Sequence, residues 1–139
     1  MPVAAGYSKR SLAEKLGIKP GAAVVAPGAP RNYAKLLEPL PADVSISSRF
    51  RGAASFIHRF VRRRAELTAD FPRLAKALND DGTLWVSWPK QSSGVETDLN
   101  ENVVREIGLA HGLVDVKVCA VDEVWSGLKF VRRLKDRKG

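Results

Sequence analysis

A single cysteine, Cys119, leaves the chain no partner for an internal disulfide and fits a reducing compartment. Two histidines, His58 and His111, stand at unrelated spacings from it and from each other, so no metal site is expected. The longest apolar runs are strand-sized, far short of a membrane span. The segment Met1–Gly6 has no basic stretch followed by an apolar one, so no secretory signal and no membrane partner are expected, and a cytoplasmic location is. Repeats, low-complexity tracts and internal linkers are missing. So are the P-loop, nucleophile-elbow and His-Glu-x-x-His patterns. The 139 residues are expected to form a single domain, with a short N-terminal arm at 1–7 and a basic C-terminal tail at 135–139.

What is abundant is positive charge: 23 Lys and Arg against 15 Asp and Glu, a net +8. Such a surface suits a small anion, an acidic protein or a polyanion, or merely keeps the protein soluble. Helix-turn-helix, zinc-finger and aromatic RNA-binding signatures are all missing, so nucleic acid is possible as partner but not favoured. Two basic clusters stand out, Arg62-Arg63-Arg64 and the run from Arg132 to Lys138, the second read as a solvated tail.

The hydrophobic pattern alternates between strand and helix. Ser11-Leu-Ala-Glu14 is a capping box and Gly17 a closing glycine, which predicts a helix over 11–16. The all-apolar run Ala22–Ala26 suits a strand buried on both faces. Pro27-Gly-Ala-Pro30 ends it, and Asn32–Leu37 reads as a small helix. Val44–Ser48 alternates, as an edge strand does, and Ala54–Val61 reads as a central strand. Leu67, Phe71, Leu74 and Leu78 are spaced for a helix over 65–79, whose regular part should begin near Asp70 because Pro72 belongs near a helix start. Asp80-Asp81-Gly82 reads as a turn into the strand Thr83–Trp88, and Gln91–Gly94 as a loop. Asp98-Leu-Asn-Glu101 should cap a helix ending at His111, with Val103, Val104, Ile107 and Ala110 inward. Val114–Val121 and Gly127–Leu134 are strands separated only by Asp122–Ser126, so they form an antiparallel hairpin.

The predicted architecture is a single-domain, doubly wound α/β sandwich of three layers, mostly parallel, with a C-terminal antiparallel hairpin. That order resembles a shortened, degenerate form of the methyltransferase-like, Rossmann-type fold. The resemblance implies a strand order of 2-1-3-4-6-5 with strand 6 antiparallel. The motifs Lys15–Gly21, Leu84–Lys90 and Gly112–Lys129 together resemble the bacterial domain of unknown function (DUF) 3052, over about residues 7–134. That family implies a compact fold and no established activity, so it assigns no catalytic residue. One departure is Arg59, in the third strand, where the family pattern is usually apolar.

In sheets of this kind ligands bind outside the carboxyl ends of the strands. Two constellations fall there. Gly28 and Ala29 precede the Asn32 helix, and Arg62 and Arg63 follow the third strand, which suggests a weak anion site between arginines and helix start. The tip Ser87-Trp88-Pro89-Lys90 faces the hairpin residues Asp122, Trp125 and Ser126. Those residues read either as a ligand pocket or as a structural latch built on tryptophan packing and a Lys–carboxylate pair. By the same fold resemblance, adenosylmethionine-dependent enzymes place a Gly-x-Gly-like turn after strand 1 and an acid at the end of strand 2. Here the turn is Ala26–Pro30 and the strand ends Ser47-Ser48-Arg49, so both features are absent and no cofactor is expected. His58, flanked by Phe56 and Phe60, reads as a hydrogen-bonded core histidine, and Cys119 as core filler. The expected function is a non-catalytic binding or regulatory module with an anion or small-ligand crevice. The alternatives are a divergent transferase-type enzyme using the strand-tip pocket, and nonspecific nucleic-acid binding.

Overall fold

The structure, a computed structural model, describes residues 10–137, so the expected arm at 1–7 and the last two residues of the tail lie outside the described residues. Six strands form one sheet in the order β2-β1-β3-β4-β6-β5. They are β1 (Ala23–Val25), β2 (Ser45–Ser47), β3 (Ala54–Phe60), β4 (Leu78–Pro89), β5 (Leu113–Ala120) and β6 (Trp125–Arg132). β2, β1, β3 and β4 pair in parallel, and β6 runs antiparallel to both β4 and β5. The doubly wound architecture and strand order therefore agree with expectation.

Among the described residues, four α-helices cover the sheet: α1 (Leu12–Leu16), α2 (Tyr33–Leu36), α3 (Arg64–Ala77) and α4 (Glu101–Ala110). One face packs Leu16, Val24, Tyr33, Leu37, Phe56, Phe60, Trp85 and Cys119 under α1 and α2. The other packs Ile57, Leu84, Trp88, Leu128 and Phe130 under Leu67, Phe71 and Leu74 of α3 and Val104 and Ile107 of α4. The period-two alternation of β3 and β4 sorts their side chains between these two layers. α1 forms because Ser11 and Glu14 cap each other reciprocally, and Gly17 closes it with φ +88°. The indole Nε1–H of Trp85 donates to the Leu16 carbonyl at 2.8 Å and ties α1 to the sheet. Gly108 lets α4 lie close on β6: a Cβ there would come 2.1 Å from the Phe130 ring.

Four local expectations are corrected. α3 begins at Arg64, not near Asp70, and Pro72 lies inside it. The site is tolerable because Pro72 and Thr68, whose carbonyl loses its helical donor, both face solvent, where water can replace the bond. Asp80-Asp81-Gly82 is not a turn between elements. α3 ends directly into β4, and these residues form a bulge where the pairing jumps from Ala54–Leu78 to Phe56–Thr83. Asp98 does not cap α4. Its carboxylate accepts from the Arg64 amide at 2.7 Å, at the start of α3, while Asn100 caps α4 by accepting from Val103. Ala110 is exposed, and Gly108 takes the inward position instead.

The basic C-terminal run is only partly a solvated tail. Arg132 belongs to β6, and its guanidinium donates to the carbonyls of Ala75 and Leu78, which end α3. Arg59, the departure in the third strand, leaves the strand central. It is 11% exposed, and its guanidinium pairs with Asp70 at 3.0 Å and Glu66 at 3.2 Å, both on α3.

Candidate functional site

The carboxyl ends of β1, β3 and β4 are laced together by backbone bonds. Phe60 N–H donates to Pro27 O at 3.0 Å, Val61 N–H to Ser87 O at 3.0 Å, and Lys90 N–H to Val124 O at 2.7 Å. Two small clefts flank the first turn. One, of about 260 Å³, is lined by Gly28, Arg59, Phe60, Val61, Arg62, Glu66 and Trp125. The other, of about 280 Å³, lies between the turn, Tyr33 and the end of β2. This is the crevice position that an open α/β sheet offers to ligands.

The sequence-predicted residues divide around it. Gly28, Arg62 and Trp125 meet in the first cleft, and Ala29 lines the second. Asn32 lies exposed at the start of α2 and makes no side-chain cap bond. Arg63 turns away to pair with Glu96 at 3.2 Å, both side chains being exposed. The helix-start anion site is not assembled between them. Ala29 N–H donates to Ala26 O and Tyr33 N–H to Pro30 O, so those two amides are already used. The guanidinium nearest Gly28 is that of Arg59, whose Nη1 also donates to Phe60 O at 3.0 Å.

Trp88 and Trp125 lie on opposite faces of the sheet and cannot stack or line one pocket. Trp88 is 5% exposed in the α3–α4 layer, across from Ser126 in the antiparallel register. Trp125 meets Phe60 edge-on at 5.0 Å in the other layer. No Lys90–carboxylate pair occurs among the described residues. Asp122 instead accepts from the backbone N–H groups of Val124 and Trp125, both at 2.8 Å, which shapes the hairpin turn. Ser87 is fully buried, and the reason is a network that periodicity did not reveal.

That network is Tyr33–His58–Ser87. The Tyr33 hydroxyl lies 2.8 Å from His58 Nδ1, and Ser87 Oγ lies 2.7 Å from Nε2. His58 also stacks on Phe60 at 4.1 Å. One ring nitrogen of the neutral imidazole donates and the other accepts, and both hydroxyls can serve either role. Burial lowers the His58 pKa to about 3 and raises that of Tyr33. A fully buried, neutral histidine with both nitrogens occupied joins α2, β3 and β4 and is closed to substrate. The aromatic flanks in the sequence indicated a core histidine, but nothing there pointed to Tyr33 as its partner. Cys119 is likewise inert: burial pushes its thiol pKa up, and Sγ lies 3.3 Å from Ala120 O.

No protein-family model matches the chain, and no curated protein matches it in sequence. Solved structures do. A putative type 11 methyltransferase from Sulfolobus solfataricus is similar with a TM-score of 0.58 at 13% identity, covering 92% of this chain and 93% of that one. Magnesium protoporphyrin IX methyltransferase from Synechocystis with bound SAM gives 0.57 at 12%, covering 88% and 74%. A ribosomal protein L11 methylase from Lactobacillus delbrueckii gives 0.57 at 15%, covering 88% and 75%. At these identities the likeness establishes the fold: a shortened methyltransferase-like, Rossmann-type sheet. It also corrects the functional expectation. The similar structures are methyltransferases, which backs the transferase alternative over a non-catalytic binding or regulatory module.

Adenosylmethionine, the donor that this fold implies, does not fit the residues present. A Cβ on Gly28 would stand 2.5 Å from the Phe60 carbonyl oxygen and 2.8 Å from Arg59 Nη1, so the glycine serves packing within the protein, not approach to a ligand. β2 ends at Ser47 and is followed by Ser48 and Arg49, with no carboxylate for a ribose. Each flanking cleft, at about 260 and 280 Å³, falls below the usual range of pockets that enclose a ligand as large as adenosylmethionine, about 300–1,000 Å³, and leaves room only for a smaller group.

Proposed function

We propose that the chain is a divergent transferase-type enzyme that works at the crevice outside the carboxyl ends of β1 and β3. The observation that carries this reading is the methyltransferase-like sheet, complete with its antiparallel β6. Within the crevice Arg62 has no carboxylate partner among the described residues, so its charge is available to a substrate. Trp125 supplies a flat wall, and the Arg59–Glu66 pair braces the floor. The donor is one that needs neither a glycine-rich turn nor a ribose-binding acid. Membership of the DUF 3052 family, proposed on the three motifs above, is compatible with this reading. A cytoplasmic location is proposed on the lone cysteine; no helix among the described residues is long and apolar enough to cross a membrane.

A thermal-shift screen of adenosylmethionine, nucleotides and phosphorylated metabolites tests the reading, followed by product detection by mass spectrometry. A donor at a hundredfold excess over its Kd adds about 2.7 kcal/mol of stability, a readily measured rise in Tm. The expected result is a rise with a donor other than adenosylmethionine that shrinks in Arg62→Ala. Calorimetric titration with adenosylmethionine should show no micromolar binding. A screen in which no compound acts through Arg62 and no product forms refutes the transferase reading.

A further inference from the structure

The connection between β2 and β3 departs from the rest of the fold. Both strands run parallel to β1 and flank it, so residues 48–53 must cross β1 to return. Parallel crossovers usually take a dozen or more residues and a helix. Here the three-residue β1 and β2 are so short that an extended segment suffices. Phe50 carries it over the α3 side, where it packs on that layer and under the Arg73 guanidinium at 4.9 Å. No helix among the described residues then covers β1 and β2 on this face, and Ala23, Ser45 and Ser47 stay exposed.

A cavity of about 890 Å³ occupies the uncovered ground, bounded by β1, β2, the crossover, the start of β3 and Asn79. It is distinct from the crevice at Gly28 and shares only Ile46 and Ser47 with the cleft beside α2. Its volume falls within the range of small-molecule sites, about 300–1,000 Å³. Two arginines line it, Arg49 and Arg51, and no acidic residue does. Neither guanidinium has a carboxylate partner among the described residues, whereas Arg59, Arg63 and Arg73 are all paired. Asn79 Nδ2 donates to Ser55 Oγ at 2.6 Å, which leaves the Ser55 hydroxyl proton free to donate inward. Ala23, Val25 and Ala54 add an apolar lining.

We propose that this cavity binds a small phosphate ester. Arg49 and Arg51 take the phosphate, for which the planar guanidinium fork is suited. The hydroxyl of Ser55 adds a neutral donor, and the apolar lining takes the organic body. The site stands independently of the transferase crevice.

Amide chemical shifts followed during titration with adenosine 5′-monophosphate test the site, with inorganic phosphate and a single-stranded oligonucleotide as parallel arms. The monophosphate should shift residues 20–25, 45–55 and Asn79, and bind more tightly than phosphate alone. Arg49→Ala/Arg51→Ala should weaken it about tenfold or more with Tm unchanged, because neither guanidinium is bonded into the fold. Equal affinity in the double variant overturns the proposal, as do shifts spread over every basic residue. Phosphate binding as tightly as the ester means that the apolar lining is unused and also overturns it. Tighter, steeply salt-dependent oligonucleotide binding at these arginines makes the face a nucleic-acid surface instead. Shifts confined to residues 27–30, 60–62 and Trp125 overturn this site while leaving the transferase crevice standing.

Discussion

Acidification should weaken this protein through one residue. His58 is fully buried and neutral, with a pKa lowered by burial to about 3 from 6.5. In the unfolded chain the imidazole takes a proton at its ordinary pKa, so below that value the unfolded state binds one proton more than the folded state. Stability from this group is complete above about pH 6.5 and is lost as pH falls toward about 3. The slope in that window is about 1.4 kcal/mol per pH unit, so moving from pH 7 to pH 5 costs about 2 kcal/mol. That is a large share of a typical net stability of about 5–15 kcal/mol. Urea unfolding of wild type and His58→Gln at both pH values isolates the effect, because His111 and the carboxylates are common to both. Wild type should lose about 2 kcal/mol more than the variant on acidification. Should the variant not fold, the imidazole resonances of wild-type His58 serve instead and should stay flat down to about pH 5. Parallel stability losses, or a His58 resonance titrating near its ordinary pKa, refute the reasoning.

Two further substitutions probe the packing. Trp88→Ala should cost about 3–5 kcal/mol, as large aromatic truncations in cores do. Trp125→Ala should cost clearly less, because Trp125 is only half-buried at the crevice rim; equal losses measured by denaturant titration would contradict this difference in burial. Gly28→Ala should lower Tm, since its φ is +76° and the new methyl would meet the Phe60 carbonyl. Left-handed backbone alone costs a non-glycine residue about 1–2 kcal/mol, and an unchanged Tm would mean that the turn is not held as described.

Much of the fold could be read locally. The capping box at Ser11 and Glu14, the apolar runs of β1, β3 and β4, and the short Asp122–Ser126 connection are near-neighbour patterns that mark the elements and the terminal hairpin, while the sheet order came from the resemblance to the methyltransferase-like fold. The errors arose where a distant residue overruled a local signal. Asp98 looks like the cap of the helix beside it but reaches Arg64, and Asp80-Asp81-Gly82 looks like a turn but is absorbed as a bulge against β3. Arg59 looked anomalous in a buried strand because its two carboxylates sit a full turn apart on a different element. Site geometry was harder still. Trp88 and Trp125 both lie near the strand tips, yet the pleat sends them to opposite faces, and Arg62 and Arg63 diverge although adjacent. Local sequence thus determined the elements, the hairpin and a hydrogen-bonded core histidine, and the fold resemblance supplied the strand order. Only the tertiary structure decided that Tyr33 and Ser87 complete that histidine, that Arg59 packs against Gly28, and that a six-residue crossover leaves an arginine-lined cavity on β1 and β2, because each depends on residues brought together by strand pairing.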